Sequence, residues 1–282
     1  MLVANRGEIA IRVMRAATEL GITTVSIYSN EDRFALHRFK ADESYSVGAG
    51  KGPIEAYLDI DGIIAVARSA RVDAIHPGYG FLAENPDFAE ACQRANIVFI
   101  GPDAAVMRRL GNKVAARALA VEAGVPVMPA TDPLADDAAA TAALADGIGY
   151  PVMVKASWGG GGRGMRMVES AEELANAVSA ARGEARAAFG NDEAYLEKLV
   201  RHARHVEIQV LADAAGNAVH LFERDCTVQR RHQKVVERAP VPYLSVTERR
   251  TICDAALALV RAADYRNVGT VEFLQDADTG KF

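Results

Sequence analysis

The run KASWGGGGRGMR, Lys155 to Arg166, decides how the chain is to be read. Four glycines in a row are entropically costly and offer no side chain to pack. Such a run suits a place where backbone must come close to something, and successive amides of a glycine loop can point at phosphate oxygens. The run also fits G-x-G-x-x-G from Gly159 to Gly164, which is a weak signal alone. A dinucleotide fingerprint joins a strand to a helix. Here Tyr150 to Lys155 on one side and Met165 to Val168 on the other both read as strands. The expectation is therefore a hairpin flap over a nucleotide, with a plain surface loop as the alternative. No G-x-x-x-x-G-K-[ST] is present, which excludes a P-loop.

Outward from the flap, Ser170 and Glu173 predict a capping box that opens a helix to about Phe189. Upstream, 135–147 is alanine-rich and helical. A helix over 112–123 ends at Gly124, before a loop with Pro126, Pro129 and Pro133. Downstream, 195–199, 205–212, 218–225 and 269–274 read as strands, giving an α+β half with antiparallel pairing. The first hundred residues differ. Strands at 2–4, 23–28, 73–76 and 97–100 alternate with helices at 9–20, 60–70 and 86–95, which implies a parallel sheet. In the first helix Ile9, Val13, Ala17 and Leu20 share one face, and Gly21 is placed to end it.

Half of the 282 residues are hydrophobic and 24% are charged, ordinary globular values. The net charge of −5 argues against a general nucleic-acid binder. It leaves room for a local basic pocket. Cys92, Cys226 and Cys253 are far apart and form no C-x-x-C pair, so a reducing compartment fits better than a disulfide framework. Polar Asn5 to Glu8 follow a short apolar start, where a signal peptide would have its apolar core. No apolar run approaches the roughly 20 residues of a membrane helix, so a cytoplasmic chain with no membrane contact is expected.

Four further places can carry chemistry. Lys155 ends a strand among Val152, Met153 and Val154, and such a lysine needs an anion or carboxylate partner unless it snorkels at an edge. Tyr195 to Val200 (YLEKLV) reads either as an adenine-binding edge or as an exposed Glu–Lys pair on a strand. Gln229 to Lys234 (QRRHQK), with Glu237 and Arg238, concentrates positive charge suited to bicarbonate or a transferring phosphate, or forms a solvated basic face. Glu272 lies in the largely apolar strand TVEFL and must be paired, protonated or bound to a metal; an arginine partner and magnesium are equally open. His37, His202 and His220 read as surface or packing residues. No G-x-S-x-G elbow supports hydrolase chemistry.

Taken in order, ANRGEIAIRV (4–13), IHPGYGFLAEN (75–85), FIGP (99–102), KASWGGGGRGMR, YLEKLV, ARHVEIQVL (203–211), ERDCTVQRRHQKVVERAP (223–240) and GTVEFL (269–274) resemble the biotin carboxylase family over essentially the whole chain. LHRFKADESY (36–45), LGNKVAAR (110–117) and Trp158 lean toward the carboxylase domain of the pyruvate carboxylase type. The subunits of acetyl-CoA and propionyl-CoA carboxylases are the close alternative. The resemblance implies an α/β chain: a Rossmann-like N-terminal domain over 1–110, then an ATP-grasp α+β domain over 111–282 with a lid at about 130–200.

It also implies roles. Lys113 and Lys155 resemble the lysines on the ATP phosphates, and Gly161 and Gly162 the flap. Glu197, Lys198, Leu199 and Val200 resemble the adenine hinge. His205, Gln229 and His232 look like further nucleotide-site residues. His232 and Lys234 are the expected catalytic pair, with Lys234 on the bicarbonate side. Glu272 resembles a magnesium (or manganese) ligand, and Tyr79 faces biotin. In the family, ATP activates bicarbonate to carboxyphosphate, and the carboxyl group passes to biotin on a carrier domain. In the pyruvate carboxylase type, a carboxyltransferase domain hands it to pyruvate within a homo-oligomer.

The family's second magnesium carboxylate, its asparagine and its catalytic arginine lie just past the strand of Glu272. The chain stops at Asp278-Thr279-Gly280-Lys281-Phe282, a hairpin turn opening on a return strand. No Met-Lys-Met biotin acceptor is present. The expectation is a truncated piece that binds ATP without completing turnover. A carbamoyl-phosphate synthetase-like ligase is the rival within the fold. A non-catalytic nucleotide-binding module, supported weakly by Gly7 and Glu31, is the rival outside it.

Overall fold

In the computed structural model, residues 1–158, 164–230 and 233–282 are described, and they fall into two compact units, Met1–Arg108 and Arg109–Phe282. The first unit runs β1 (Leu2–Val3), α1 (Gly7–Glu19), β2 (Val25–Tyr28), β3 (Glu43–Ser46), α2 (Ile60–Ser69), β4 (Ala74–His76), α3 (Pro86–Arg94) and β5 (Val98–Phe99), and then enters α4 (Ala104–Gly111). Its five strands form one parallel sheet in the order β3-β2-β1-β4-β5.

Successive side chains of a strand point to opposite faces, and β1 shows the consequence. Leu2 packs with Ile27, Ile63, Ile75 and Phe88, while Val3 packs with Ala10 and Met14 of α1. Helices therefore cover both faces of a doubly wound sheet. The apolar face of α1 is not the one the sequence suggested. Ala10, Met14 and Ala17 are buried, Ile9 and Val13 flank them, and Leu20 is 75% exposed. Small Ala10 and Ala17 let the helix backbone approach the sheet closely, which bulkier Ile9 and Val13 at the centre would prevent. Gly21 ends the helix at φ +71°, the left-handed turn glycine tolerates.

The second unit continues with α5 (Lys113–Glu122), α6 (Ala138–Ile148), β6 (Val152–Ala156), β7 (Arg166–Val168), α7 (Ala171–Phe189), β8 (Ala194–Lys198), β9 (Ala203–Ala212), β10 (Ala218–Arg230), β11 (Gln233–Arg238), α8 (Val246–Ala262) and β12 (Asn267–Asp276). It holds two antiparallel sheets, β7-β6-β8 and β11-β10-β9-β12. The smaller sheet buries Val152, Val154 and Leu196 with Leu174 and Ala181 of α7. The larger buries Val206, Ile208, Val210 and Phe273 with Ile252, Ala256 and Val260 of α8. Alternation on β9 sends Val206, Ile208 and Val210 into that core, so His205, Glu207 and Gln209 take the opposite face.

The capping box expected at Ser170 and Glu173 is not formed. The Ser170 side chain makes no cap bond, and the Glu173 carboxylate accepts from the Glu169 amide instead. A full box opens α8, where Ser245 accepts from the Glu248 amide and Glu248 accepts from the Ser245 amide and hydroxyl. That helix, α4, β3 and β11 were not legible beforehand. β3 is a polar edge strand with no alternation, and β11 is a strand of mostly exposed charged and apolar residues held by its pairing with β10 and by the ion pairs of Lys234 and Arg238. Among the described residues, no helix is long and apolar enough to cross a membrane. The three cysteines are buried and unpaired.

Candidate active site

The expected flap is flanked by β6 and β7, which pair antiparallel through Val152↔Val168, Met153↔Met167 and Val154↔Arg166. Gly161 and Gly162 lie outside the described residues. Where description resumes, Gly164 sits at φ +69°, and a Cβ there would lie 3.1 Å from the Ala156 Cβ and 3.5 Å from the Ala181 carbonyl oxygen. Absence of a side chain thus lets the base of the flap close onto β6 and α7. Gly164→Ala is expected to lower stability by more than about 1 kcal/mol in urea unfolding, because it combines a positive φ with a tight contact.

On β6, Val152 and Val154 enter the core, which leaves Met153 and Lys155 on the other face. The Lys155 ammonium is ion-paired with the Glu197 carboxylate of β8, its diagonal neighbour in the register Lys155↔Tyr195, Met153↔Glu197. Both side chains are about 85% removed from solvent, with exposures of 16% and 14%. A snorkelling lysine and an exposed Glu–Lys pair are both ruled out by this geometry. Lys113 opens α5, its amide bonded to the Ser157 carbonyl at 2.9 Å, with the Asn112 side chain capping the helix. Burial, helped by the nearby Lys155 charge and opposed by Glu197, pushes the Lys113 pKa down. Two lysines against one carboxylate leave a net positive charge in a desolvated place, which suits a polyanion.

Lys198 turns the other way from Glu197. Its ammonium donates to the carbonyls of Gly149 at 2.7 Å and Tyr150 at 3.1 Å, at the C-terminal end of α6, where a cation is favoured. Its amide donates to Pro129, and the Leu199 amide donates to Pro151. Leu199 and Val200 line a groove of about 530 Å³ together with Met128, Pro129, Asp276 and Phe282; its walls include neither Lys155 nor Glu272.

The second group of candidates converges on the outer face of the larger sheet. Glu207 of β9 and Glu272 of β12 are direct cross-strand partners. Two carboxylates side by side repel, so the cations around them decide their state. Lys234 of β11 reaches both, pairing with Glu207 and lying 2.8 Å from Glu272 Oε1. Arg224 of β10 holds Glu207 from the other side, Nε to Oε1 at 2.7 Å. His205 Nε2 lies 3.4 Å from Glu272 Oε1. Among the described residues the partners of Glu272 are thus a lysine and a histidine, and no arginine.

Gln229 defines the histidine. Its amide nitrogen donates to the Cys226 carbonyl at 2.9 Å and lies 2.8 Å from His205 Nδ1. Nδ1 therefore accepts, which leaves the Nε2–H of the ring facing Glu272. His205, then Lys234, outweigh burial and hold the Glu272 pKa at about 2. Burial alone would raise the Glu207 pKa, but Lys234 and Arg224 outweigh it and keep it below the usual range. Burial alone would lower the Lys234 pKa, and the two glutamates reverse that. All three are charged at neutral pH.

The sign follows from the depressed carboxylate. The Glu272 contribution to stability is present above its ordinary value of 4.5 and is lost as pH falls toward 2. Carbonyl-carbon NMR is expected to show the Glu272 carboxyl titrating near 2 in the folded chain, and a midpoint near 4.5 would contradict the arrangement.

His232 lies outside the described residues. Tyr79 belongs to the first unit, after β4. Its hydroxyl donates to Glu8 at 2.6 Å, and its carbonyl accepts from Asn5 at 2.9 Å. Sequence reasoning missed Glu207, Arg224 and Gln209. Glu207 carried the same signal as Glu272, one acid in an apolar alternating strand; Arg224 and Gln209 carried none.

Of the groups gathered here, Glu272 is the one with a donor open to a divalent cation. His205, Glu207 and Glu272 bring ligand atoms within 4.8 Å of one another. Both Glu207 oxygens are taken by Arg224 and Lys234, and its side chain is 3% exposed. Glu272, 54% exposed, is the carboxylate an entering hard cation would meet.

Comparisons with known proteins place the chain in a family. Residues 112–282 match the family profile "Carbamoyl-phosphate synthase L chain, ATP binding domain", and residues 1–107 match "Biotin carboxylase, N-terminal domain". The pyruvate carboxylase of Bacillus subtilis is 57% identical over 274 residues, which is 97% of this chain and 24% of that protein. A solved pyruvate carboxylase of Rhizobium etli superposes with a TM-score of 0.93 at 63% identity, covering 100% of this chain and 25% of that one. A biotin carboxylase of Campylobacter jejuni, solved in complex with an ATP analogue, gives 0.93 at 44% identity over 98% of this chain and 62% of its own. The chain spans about a quarter of the pyruvate carboxylases it matches.

Proposed function

The chain belongs to the biotin carboxylase family, and we propose that its second unit binds MgATP and uses it to activate bicarbonate for transfer to biotin. The observation that carries the reading is a pair of charge clusters in one unit: buried lysines beside a hinge carboxylate, and a lysine set between two ionised glutamates. Lys113 and Lys155 take the ATP phosphates, under a flap that includes Gly161 and Gly162. The hinge Glu197 to Val200 reads adenine. Because the Lys198 and Leu199 amides are already bonded to Pro129 and Pro151, the base is read by the Val200 amide and by hinge carbonyls. His205, Gln229 and His232 complete the nucleotide side, and Tyr79 faces biotin.

Glu272 would hold the magnesium, with Glu207 behind it as fixed negative charge. When bound, the metal neutralises phosphate charge and orients the transferred phosphoryl group. Lys234 is placed to bind bicarbonate, exchanging one carboxylate partner for another at little electrostatic cost. It then stabilises the negative charge that develops as bicarbonate attacks the terminal phosphate. His232 is the second catalytic residue on this reading. The attack breaks the bond between the β- and γ-phosphates, ADP leaves, and the product is carboxyphosphate, the source of the carboxyl group for biotin.

Identities of 57% and 63% to pyruvate carboxylases support pyruvate as the final acceptor, giving oxaloacetate. On that reading the biotin carrier domain, the carboxyltransferase domain and a homo-oligomer are the partners, and the setting is cytoplasmic. The 44% identity to a biotin carboxylase over 98% of the chain keeps the acyl-CoA carboxylases as the second reading. We place the domain boundary at 110/111, with the lid over about 130–200. The test is ATP cleavage by the intact gene product. It should require bicarbonate and rise with free biotin. Ammonia-dependent cleavage without biotin would move the assignment to a carbamoyl-phosphate synthetase-like ligase. Tight NAD binding with no ATP binding would leave only a nucleotide-binding module.

A further inference from the structure

On the site face of the larger sheet, Glu207 is 3% exposed and charged, and it has two cationic partners rather than one. Its Oε2 belongs to Lys234 and its Oε1 to Arg224. Arg224 is itself fixed from behind. Its Nη1 donates to Gln209 Oε1 at 2.9 Å, and Gln209 Nε2 donates to the Gly269 carbonyl at 2.8 Å. The chain of bonds runs from the backbone of β12 through Gln209 of β9 and Arg224 of β10 to Glu207. It ends on the ammonium of Lys234. Glu237 Oε2, 3.8 Å from Arg224 Nε, is the other acid within reach of the guanidinium.

A buried carboxylate with a single cation does not release it, because separation leaves an uncompensated charge out of water. Were Lys234 the sole partner of Glu207, it would be locked there. With Arg224 supplying a rigid, permanently charged counter-ion on Oε1, Glu207 stays compensated while Lys234 shifts. We propose that Arg224, seated by Gln209, is a positioning residue that holds Glu207 so that Lys234 can leave the two glutamates and engage bicarbonate. Gln209 matters because it fixes the guanidinium plane through a neutral bond and adds no further charge. This rests on the assignment of Lys234 to bicarbonate made above, and it adds the residues that make that assignment workable.

The test uses the intact gene product, assayed for bicarbonate-dependent ATP cleavage with free biotin, alongside MgADP affinity and thermal unfolding. Arg224→Gln is expected to raise the KM for bicarbonate at least tenfold and to lower kcat. MgADP affinity should stay within twofold of the parent. Arg224→Lys should recover part of the KM, since it restores charge without the planar fork. Gln209→Met keeps the Arg224–Glu207 pair and removes only its support. It should raise the bicarbonate KM by a smaller factor of two to five, and it carries the test if Arg224→Gln does not fold. An unchanged bicarbonate KM in folded Arg224→Gln and Gln209→Met overturns the proposal. So does an equal loss of MgADP affinity, which marks general damage to the sheet. If the parent itself shows no bicarbonate-dependent cleavage, the functional assignment fails instead, and the two failures are told apart by the parent alone.

Discussion

Lys155→Ala is expected to weaken nucleotide binding by at least ~30-fold, because losing the lysine side of a desolvated lysine–phosphate contact typically costs about 2–5 kcal/mol. Two effects are combined in that loss, and they separate experimentally. Removing the ammonium takes away a phosphate contact. It also takes away the ion-pair partner of the Glu197 carboxylate, which is 14% exposed and keeps Tyr195 Oη, at 3.4 Å, and the Lys113 charge nearby. The second effect is repaired by removing the carboxylate too. Lys155→Ala with Glu197→Ala should therefore regain most of the thermal stability lost by Lys155→Ala and little of the affinity. Isothermal titration with MgADP and a melting curve on the four proteins of the cycle decide it. Affinity that returns with stability would reduce Lys155 to a structural partner of Glu197 and remove it from the phosphate site.

The second large effect belongs to Lys234. Lys234→Met keeps most of the length of the side chain and deletes its charge. Loss of one well-placed donor to developing negative charge lowers turnover by about 10²–10³-fold, so bicarbonate-dependent ATP cleavage is expected to fall at least ~100-fold. MgADP binding should survive, since Lys113, Lys155 and the hinge are untouched. Stability should drop as well. Glu207 keeps Arg224, and Glu272 keeps His205, but the ammonium that offsets the repulsion between the two glutamates is gone. Full bicarbonate-dependent activity in the folded variant would place the anion elsewhere.

Both predictions depend on residues the sequence marked and on contacts it did not. Lys155 and Glu197 were each legible as charges in apolar strands. Their pairing was not, because it needs β6 and β8 antiparallel in one register. Glu272 was legible for the same reason as Lys155, yet its partners lie on β9 and β11, and β11 had no signal of its own. Arg224 and Gln209 look like ordinary polar strand residues until the sheet order β11-β10-β9-β12 lines them up beside Glu207. The misplaced capping box makes the same point locally. Ser170/Glu173 and Ser245/Glu248 have the same spacing, and only the side-chain geometry separates them.

The sequence by itself determined most of the local elements, β3, β11, α4 and α8 excepted, and marked the charges that stand out in apolar strands. Periodicity follows from how successive side chains point, and a glycine run or an isolated charge in an apolar strand has few physical uses, so both can be read one segment at a time. Family membership follows from the same segments in their order. Only the tertiary structure decided which charges share a partner. A carboxylate's state depends on every cation within a few ångströms, whatever its distance along the chain. Glu207 and Lys234 are 27 positions apart, and Lys234 and Glu272 are 38 apart. Pairing four strands in one order turned those separations into contacts, and with them an acidic pair into a cluster in which one lysine bridges two carboxylates.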